Sequence, residues 1–302
     1  MRFNHFTFTV GGPACDANCP FCVSKMTGRG DCVGSWQDFE PAWNRFAVAC
    51  GIAKKSPELT TALLSGKGEP TLYHPLITAY LKGLKEYGEF PIVELQSNGM
   101  LMASGKIDEQ LRMWYLHEGL QTIALSVVHY DQDRNREIYC HEREHYNLSE
   151  LIKKLHGIGY SVRLCVMLLK GYIDSSDEVL HMLEFAHENE VEQLTLRSIT
   201  VPEQNGCKDD EVFQWTMSHQ IPEDQLEKMF KFIKVSGTKL MELSFGAVVY
   251  GIRMDDGKEQ NVCLSNCLTE TDSEKTIRQL IFFPEDRGRI GYSWQHEAAT
   301  IM

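Results

Sequence analysis

No apolar run in this 302-residue chain approaches the roughly 20 residues needed to cross a bilayer. Its first residues, Met-Arg-Phe-Asn-His, carry no apolar secretory segment. Basic residues are scarce, with 30 Lys and Arg against 42 Asp and Glu for a net charge of −12, and no basic run interrupts the excess. A surface of that sign repels phosphate backbones, which disfavours nucleic acid and leaves a small molecule as the expected partner. Cysteine is too dilute, at ten residues, for a secreted disulfide scaffold. Together with the missing signal segment this places the chain in the reducing cytoplasm, where the Asn-x-Ser match at Asn147 to Ser149 is chance. Low-complexity linkers are absent. So are the phosphate-loop fingerprints: the stretch Gly66-Lys67-Gly68-Glu69-Pro70-Thr71 has threonine where a Rossmann loop needs its third glycine, and no Gly-Lys-Ser/Thr stands at Walker spacing. What remains is an ordinary globular composition, 43% hydrophobic and 24% charged, with length for one large domain and an extension or for two modest ones.

Against that background one run stands out. Cys15, Cys19 and Cys22 lie in Cys-Asp-Ala-Asn-Cys-Pro-Phe-Cys, a C-x3-C-x2-C spacing that lacks a fourth ligand. An ordinary 4Fe–4S cluster takes four thiolates, one per iron, so three leave one iron open. A zinc site completed by Cys32 is the competing reading, although structural zinc sites usually show two separated ligand pairs rather than three ligands crowded in one loop.

Strand-like runs of four to eight residues alternate with helix-like segments of 10 to 18. Strands are expected at Phe6 to Val10, Thr61 to Ser65, Ile92 to Ser97, Thr122 to Val128, Ser161 to Leu168 and Gln193 to Ser198. Helices are expected at Gln37 to Lys54, Pro75 to Tyr87, Lys106 to His117, Leu148 to Ile158, Ser176 to Asn189 and Pro222 to Ser236. Repeated βα units specify a parallel sheet, wound either doubly or into a barrel. Strands of an open parallel sheet covered on both faces read as continuous apolar runs. These alternate instead: Thr7 and Thr9 among Phe6, Phe8 and Val10; Glu94 and Gln96 around Leu95; Ser126, Arg163, Thr195 and Arg197 each between apolar neighbours. Side chains two apart share a face, so one polar interior ringed by helices accounts for all of them. Uncovered, solvated faces are the alternative. After Ser236 the pattern turns to strands and turns: Leu240 to Arg253, Gln260 to Leu264, Thr276 to Pro284 and Gly288 to Trp294, with turns at Asp255-Asp256-Gly257 and Asp286-Arg287-Gly288. The expected organisation is a barrel over residues 1–236 and a β-rich extension over 237–302 that packs on it.

The cysteine run resembles the radical S-adenosylmethionine superfamily. The resemblance implies a partial (β/α)6 barrel, a 4Fe–4S cluster on Cys15, Cys19 and Cys22, and an open iron chelated by the amino and carboxylate groups of S-adenosylmethionine. It also implies cleavage of that cofactor to a 5′-deoxyadenosyl radical, which abstracts hydrogen from a substrate carbon, and an electron donor such as flavodoxin or ferredoxin. Further positions fit. Gly68-Glu69-Pro70 resembles the family's Gly-Gly-Glu-Pro element, which accepts hydrogen bonds from the cofactor's ammonium, with Lys67 in place of the first glycine. Gln96-Ser97-Asn98-Gly99 resembles the family's Thr-Asn-Gly strand ending, which implies that Asn98 bonds the ribose. Ser126 is placed to meet the carboxylate or ribose, and Phe21 resembles the aromatic beside adenine. The stretch from Tyr146 to Arg197 gives a general likeness to the molybdopterin-precursor cyclase branch, without that enzyme's C-terminal cysteine motif. A glycyl-radical activating enzyme acting on a protein partner, and a non-enzymatic iron-sulfur or zinc protein, are the rival readings. The lack of a domain before the first strand argues against peptide maturation.

Arg163 and Arg197 fall on polar strand faces. An arginine aimed into a cavity rarely goes unpaired and forms bidentate bonds to carboxylate or phosphate. One is expected to serve the cofactor's carboxylate and the other an anionic substrate, with a structural ion pair to Glu94 as the alternative. Cys263 and Cys267 raise the possibility of a second cluster, but no cysteine follows them, and buried or loop thiols are favoured. Cys50, Cys140 and Cys165 read as packing residues, and His141 to His145 as a solvated loop without metal.

Overall fold

The computed structural model describes residues 5–28, 40–56, 60–139, 146–201, 207–243, 246–266, 279–284, 287–294, 296 and 298–302. Cys32, Cys140, Cys267 and the 141–145 segment, named above, lie outside them.

The strands are β1 (His5–Thr9), β2 (Thr61–Ser65), β3 (Ile92–Ser97), β4 (Thr122–Val127), β5 (Ser161–Leu168), β6 (Gln193–Ser198), β7 (Thr238–Glu242), β8 (Val248–Arg253), β9 (Glu259–Asn266), β10 (Gln279–Phe283) and β11 (Arg289–Gly291). All pair in one sheet of order β11-β10-β1-β2-β3-β4-β5-β6-β9-β8-β7. The pairs from β1 through β6 are parallel. The curved sheet does not close on itself: β10 joins the β1 edge and β9 the β6 edge, both parallel, and antiparallel β11, β8 and β7 end the order. The expected α/β partial barrel is thus observed. The C-terminal strands, expected to pack on the barrel, extend both edges of its sheet through backbone hydrogen bonds. The run Leu240 to Arg253 also breaks in two, and β8 and β9 form the hairpin that the Asp255-Asp256-Gly257 turn foretells.

The helices are α1 (Val23–Thr27), α2 (Trp43–Lys54), α3 (His74–Tyr87), α4 (Met100–Ala103), α5 (Asp108–Met113), α6 (Gln132–Tyr139), α7 (Leu148–Ile158), α8 (Ser176–Glu188), α9 (Asp210–His219) and α10 (Glu223–Ser236). Local chemistry sets their ends. The Asn147 side chain caps α7 by accepting from the Glu150 amide at 3.1 Å, and Gly159, at φ 118°, stops it. Ser175 caps α8 in the same way through the Glu178 amide. The segment expected as one helix from Lys106 to His117 divides into α5 and a π turn over Trp114–Glu118, which buries Trp114 and lets its indole donate to Thr78 Oγ1 at 2.8 Å.

The apolar residues of each strand, Phe6, Phe8, Leu64, Leu95, Leu125, Leu164 and Leu196 among them, are buried in one core with the helices. The alternate residues face the other side, where Thr7, Thr9 and Thr195 are buried yet polar. The sheet therefore has a greasy outer face under helices and a polar lumen, as the alternation requires. Among the described residues no helix is long and apolar enough to cross a membrane.

Candidate functional site

The loops at the C-terminal ends of β1 to β3 meet, which is where α/β folds hold ligands. β1 leads into the cysteine loop, β2 into Gly66–Pro70, and β3 into Asn98. The first two are stitched backbone to backbone: the Glu69 amide donates to Ala14 O at 2.9 Å and the Val10 amide to Ser65 O at 2.7 Å. A Cβ on Gly68 would lie 2.1 Å from the Ala14 carbonyl oxygen. Only glycine permits that approach. Lys67 is not among the residues of positive φ, so a lysine fits the path between the two glycines; its ammonium donates to Gly28 O at 3.0 Å and lies 5.4 Å from the Trp294 ring centroid. We expect Gly68→Ala to push the cysteine loop off the turn, lowering stability by about 1–3 kcal/mol and cutting iron uptake. Thermal unfolding and iron analysis on the same samples check this, and an alanine variant that loads iron like the parent would count against it.

Glu69, 3% exposed, fastens the site. Its Oε1 accepts from the Thr71 amide at 3.0 Å, Thr71 Oγ1 at 2.7 Å and Ser97 Oγ at 2.7 Å, while Oε2 accepts from the Asn98 amide at 2.9 Å. Burial raises its pKa above the usual carboxylate value, against the pull of the bonds from Asn98, Thr71 and Ser97. Asn98 in turn donates from Nδ2 to Asp16 Oδ1 at 2.6 Å, and that nitrogen lies 4.0 Å from Cys15 Sγ. The end of β3 is thereby tied to the cysteine loop.

Cys15, Cys19 and Cys22, with Phe21, Gly68, Glu69, Asn98 and Ser126, line one cavity of about 240 Å³. Phe21 packs 6.4 Å from Tyr139 and 6.2 Å from Trp215, ring centre to ring centre. Two of the thiols are disfavoured as thiolates. Burial pushes Cys15 up to about 12, and burial together with the nearby Cys22 and Cys15 raises Cys19 well above its ordinary value. Among the described residues no three Cys, His, Asp or Glu side chains converge on a single ion.

Arg163 and Arg197 are not in the wall of this cavity. Both line a chamber of about 220 Å³ beside it and a larger one of about 680 Å³ at the other end of the strands. Arg163 is ion-paired with Glu94, the structural alternative weighed above. Cys50 and Cys165 are buried, as expected of packing residues. Cys263 is buried on the lumen wall, and Cys207 donates to Asp209 O at 3.4 Å.

Three contributors escaped the sequence. Asp16 lies inside the cysteine run but holds Asn98. Tyr139 lines the cavity from α6. Met167 lines it from β5, and its parity with Arg163 and Cys165 was the available signal, since residues two apart share a face.

No family model matches the sequence, and no curated protein is similar to it in sequence. Solved structures are similar in fold. Streptococcus suis SuiB bound to S-adenosylmethionine superposes with a TM-score of 0.62 at 15% identity, over 96% of this chain and 60% of SuiB. Native anSMEcpe with bound AdoMet gives 0.59 at 10% identity, over 97% of this chain and 75% of anSMEcpe. The chain thus spans less than two thirds of SuiB. At such identities the likeness is one of architecture: the fold is similar to those of SuiB and anSMEcpe, with the sheet open.

Proposed function

We propose that this chain is a radical S-adenosylmethionine enzyme acting on a small, anionic substrate in the barrel lumen. The observation that carries this is the convergence of the three thiols, the Gly68–Glu69 turn, Asn98 and Ser126 on one cavity at the C-terminal ends of the parallel strands. Cys15, Cys19 and Cys22 would hold three irons of a 4Fe–4S cluster, leaving the fourth for the cofactor's amino and carboxylate groups. When bound, cluster and cofactor supply a 5′-deoxyadenosyl radical able to take hydrogen from an unactivated carbon. The chain's own residues position and shield. The Gly68–Glu69 turn is assigned to the cofactor's ammonium, Asn98 to its ribose, Ser126 to its ribose or carboxylate, and Phe21 to its adenine. Strands wall the lumen, and Tyr139 and Met167 add to the lining of the cysteine cavity. A flavodoxin or ferredoxin in the cytoplasm is the assigned electron source. Likeness to the molybdopterin-precursor cyclase branch rests on the 146–197 stretch and carries no reaction with it.

Anaerobically reconstituted protein given dithionite and S-adenosylmethionine is expected to release 5′-deoxyadenosine, slowly alone and faster with substrate, because a filled lumen excludes water and positions the hydrogen donor. Chromatography of the quenched mixture reads the product. Iron-loaded protein that releases none would end the proposal.

A further inference from the structure

One luminal charge, that of Arg197, meets no carboxylate among the described residues. Among the carboxylates on the wall of the 680 Å³ chamber, Glu94 is paired with Arg163, and Glu192 accepts from the Val162 amide at 2.7 Å and lies 3.3 Å from His156 Nε2. Arg197, half-buried, has no carboxylate partner among the described residues, and its Nε is buried without a hydrogen bond. Two residues earlier on the same strand face, Thr195 is 1% exposed, and its hydroxyl is likewise buried without a partner among the described residues. A buried polar group costs free energy unless it is hydrogen-bonded, and a charge costs more. Two such groups beside one cavity mark a place built for a ligand.

The position says which ligand. Arg197 is paired in register with Met167, which lines the cofactor cavity. It also sits in the wall common to the 220 and 680 Å³ chambers. A group held there would anchor a molecule whose other end reaches the cysteine cavity. Guanidinium and hydroxyl are donors, so the anchored group is an anion. The chain as a whole is acidic at −12, so general surface attraction for anions is lacking and the charge at Arg197 is local.

We infer that Arg197 and Thr195 form the subsite for the substrate's anionic group, a carboxylate or a phosphate, and that Arg163 does not share this task because Glu94 neutralises it. The inference rests on the function proposed above and names the recognition element within it. Arg197 donates through its planar fork and Thr195 through its hydroxyl, which fixes one end of the substrate below the cofactor cavity.

The test needs no substrate. Inorganic phosphate and succinate are titrated separately into the full-length, iron-loaded protein at low ionic strength by calorimetry, with the iron content of every sample measured alongside. Saturable binding of either anion is expected, and whichever binds more tightly identifies the group as phosphate or carboxylate. Arg197→Gln should weaken that binding at least tenfold, Arg197→Lys less, because charge remains while the fork is lost, and Thr195→Val about threefold to tenfold. Arg136→Gln, on the exposed face of α6, should leave it unchanged. No saturable binding of either anion, or equal affinity in Arg197→Gln and the parent, overturns the inference. If Arg197→Gln does not fold, Thr195→Val and Arg197→Lys decide by the same criterion. Anion binding is read independently of 5′-deoxyadenosine release, so an iron-free or inactive protein that binds the anion at Arg197 counts against the proposed function alone.

Discussion

Replacing Cys15, Cys19 and Cys22 together by alanine is expected to leave anaerobically reconstituted protein colourless and free of iron, against about four irons per chain in the parent. The loss should be total, because no other thiol lines the cavity among the described residues: Cys50, Cys165 and Cys263 are buried elsewhere, and Cys207 is engaged with the backbone at Asp209. The fold should survive. The cysteine loop is held by contacts that do not involve sulfur: the Asn18 amide donates to Tyr139 O at 3.0 Å, the Glu69 amide to Ala14 O at 2.9 Å, and Asn98 Nδ2 to Asp16 Oδ1 at 2.6 Å. Lys25 adds a bond to Asn18 Oδ1 at 2.7 Å. Unfolding temperature in the iron-free state should therefore be close to that of the iron-free parent, which separates loss of ligands from loss of structure. Iron retained by the triple variant, or stoichiometric zinc without iron in the parent, would remove the basis for a cluster.

What could be read in advance follows from the range of each interaction. The six barrel strands were legible because side-chain parity is local: one polar residue between two apolar ones reports a two-sided strand whatever its neighbours. The helices with caps were legible for the same reason, Asn147 and Ser175 each acting within three residues. α6 was not, since Gln132–Tyr139 is almost wholly polar and buries only Asn135, Ile138 and Tyr139. The placement of β9 and β10 at opposite edges of the barrel was also beyond the pattern. Periodicity identifies a strand but not its partner, and β10 pairs with a strand more than 270 residues earlier, His5 opposite Gln279. The site divides along the same line. The cysteine spacing and the Gly68–Glu69–Pro70 turn are contiguous and could be seen. The four donors that saturate Glu69 come from Thr71, Ser97 and Asn98, on two separate connections, and only the fold assembles them.

The two luminal arginines, alike in the sequence, are expected to part company under mutation, with Arg163 governing stability. Arg163 and Glu94 form an ion pair in which the side chains are 16% and 8% exposed. Removing one member of such a pair leaves the other charge desolvated and unanswered, at a cost of about 3–5 kcal/mol. Arg163→Ala is accordingly expected to lower unfolding free energy by about 3 kcal/mol, the low end, because the 680 Å³ chamber gives Glu94 some access to water. Glu94→Gln should cost less, since an amide still accepts from the guanidinium while the surrounding lumen hydrates it. Replacing both, as Arg163→Met with Glu94→Leu, should recover most of the loss, because two apolar side chains leave no orphaned charge. Urea unfolding of the parent, the single variants and the double variant reads the coupling directly. If Arg163→Ala stays within about 0.5 kcal/mol of the parent, the level of an ordinary surface change, the pair is not structural. Arg163 would then have to be counted with Arg197 as a second donor free to meet an anion, and a substrate carrying two negative charges would become the better match to the lumen.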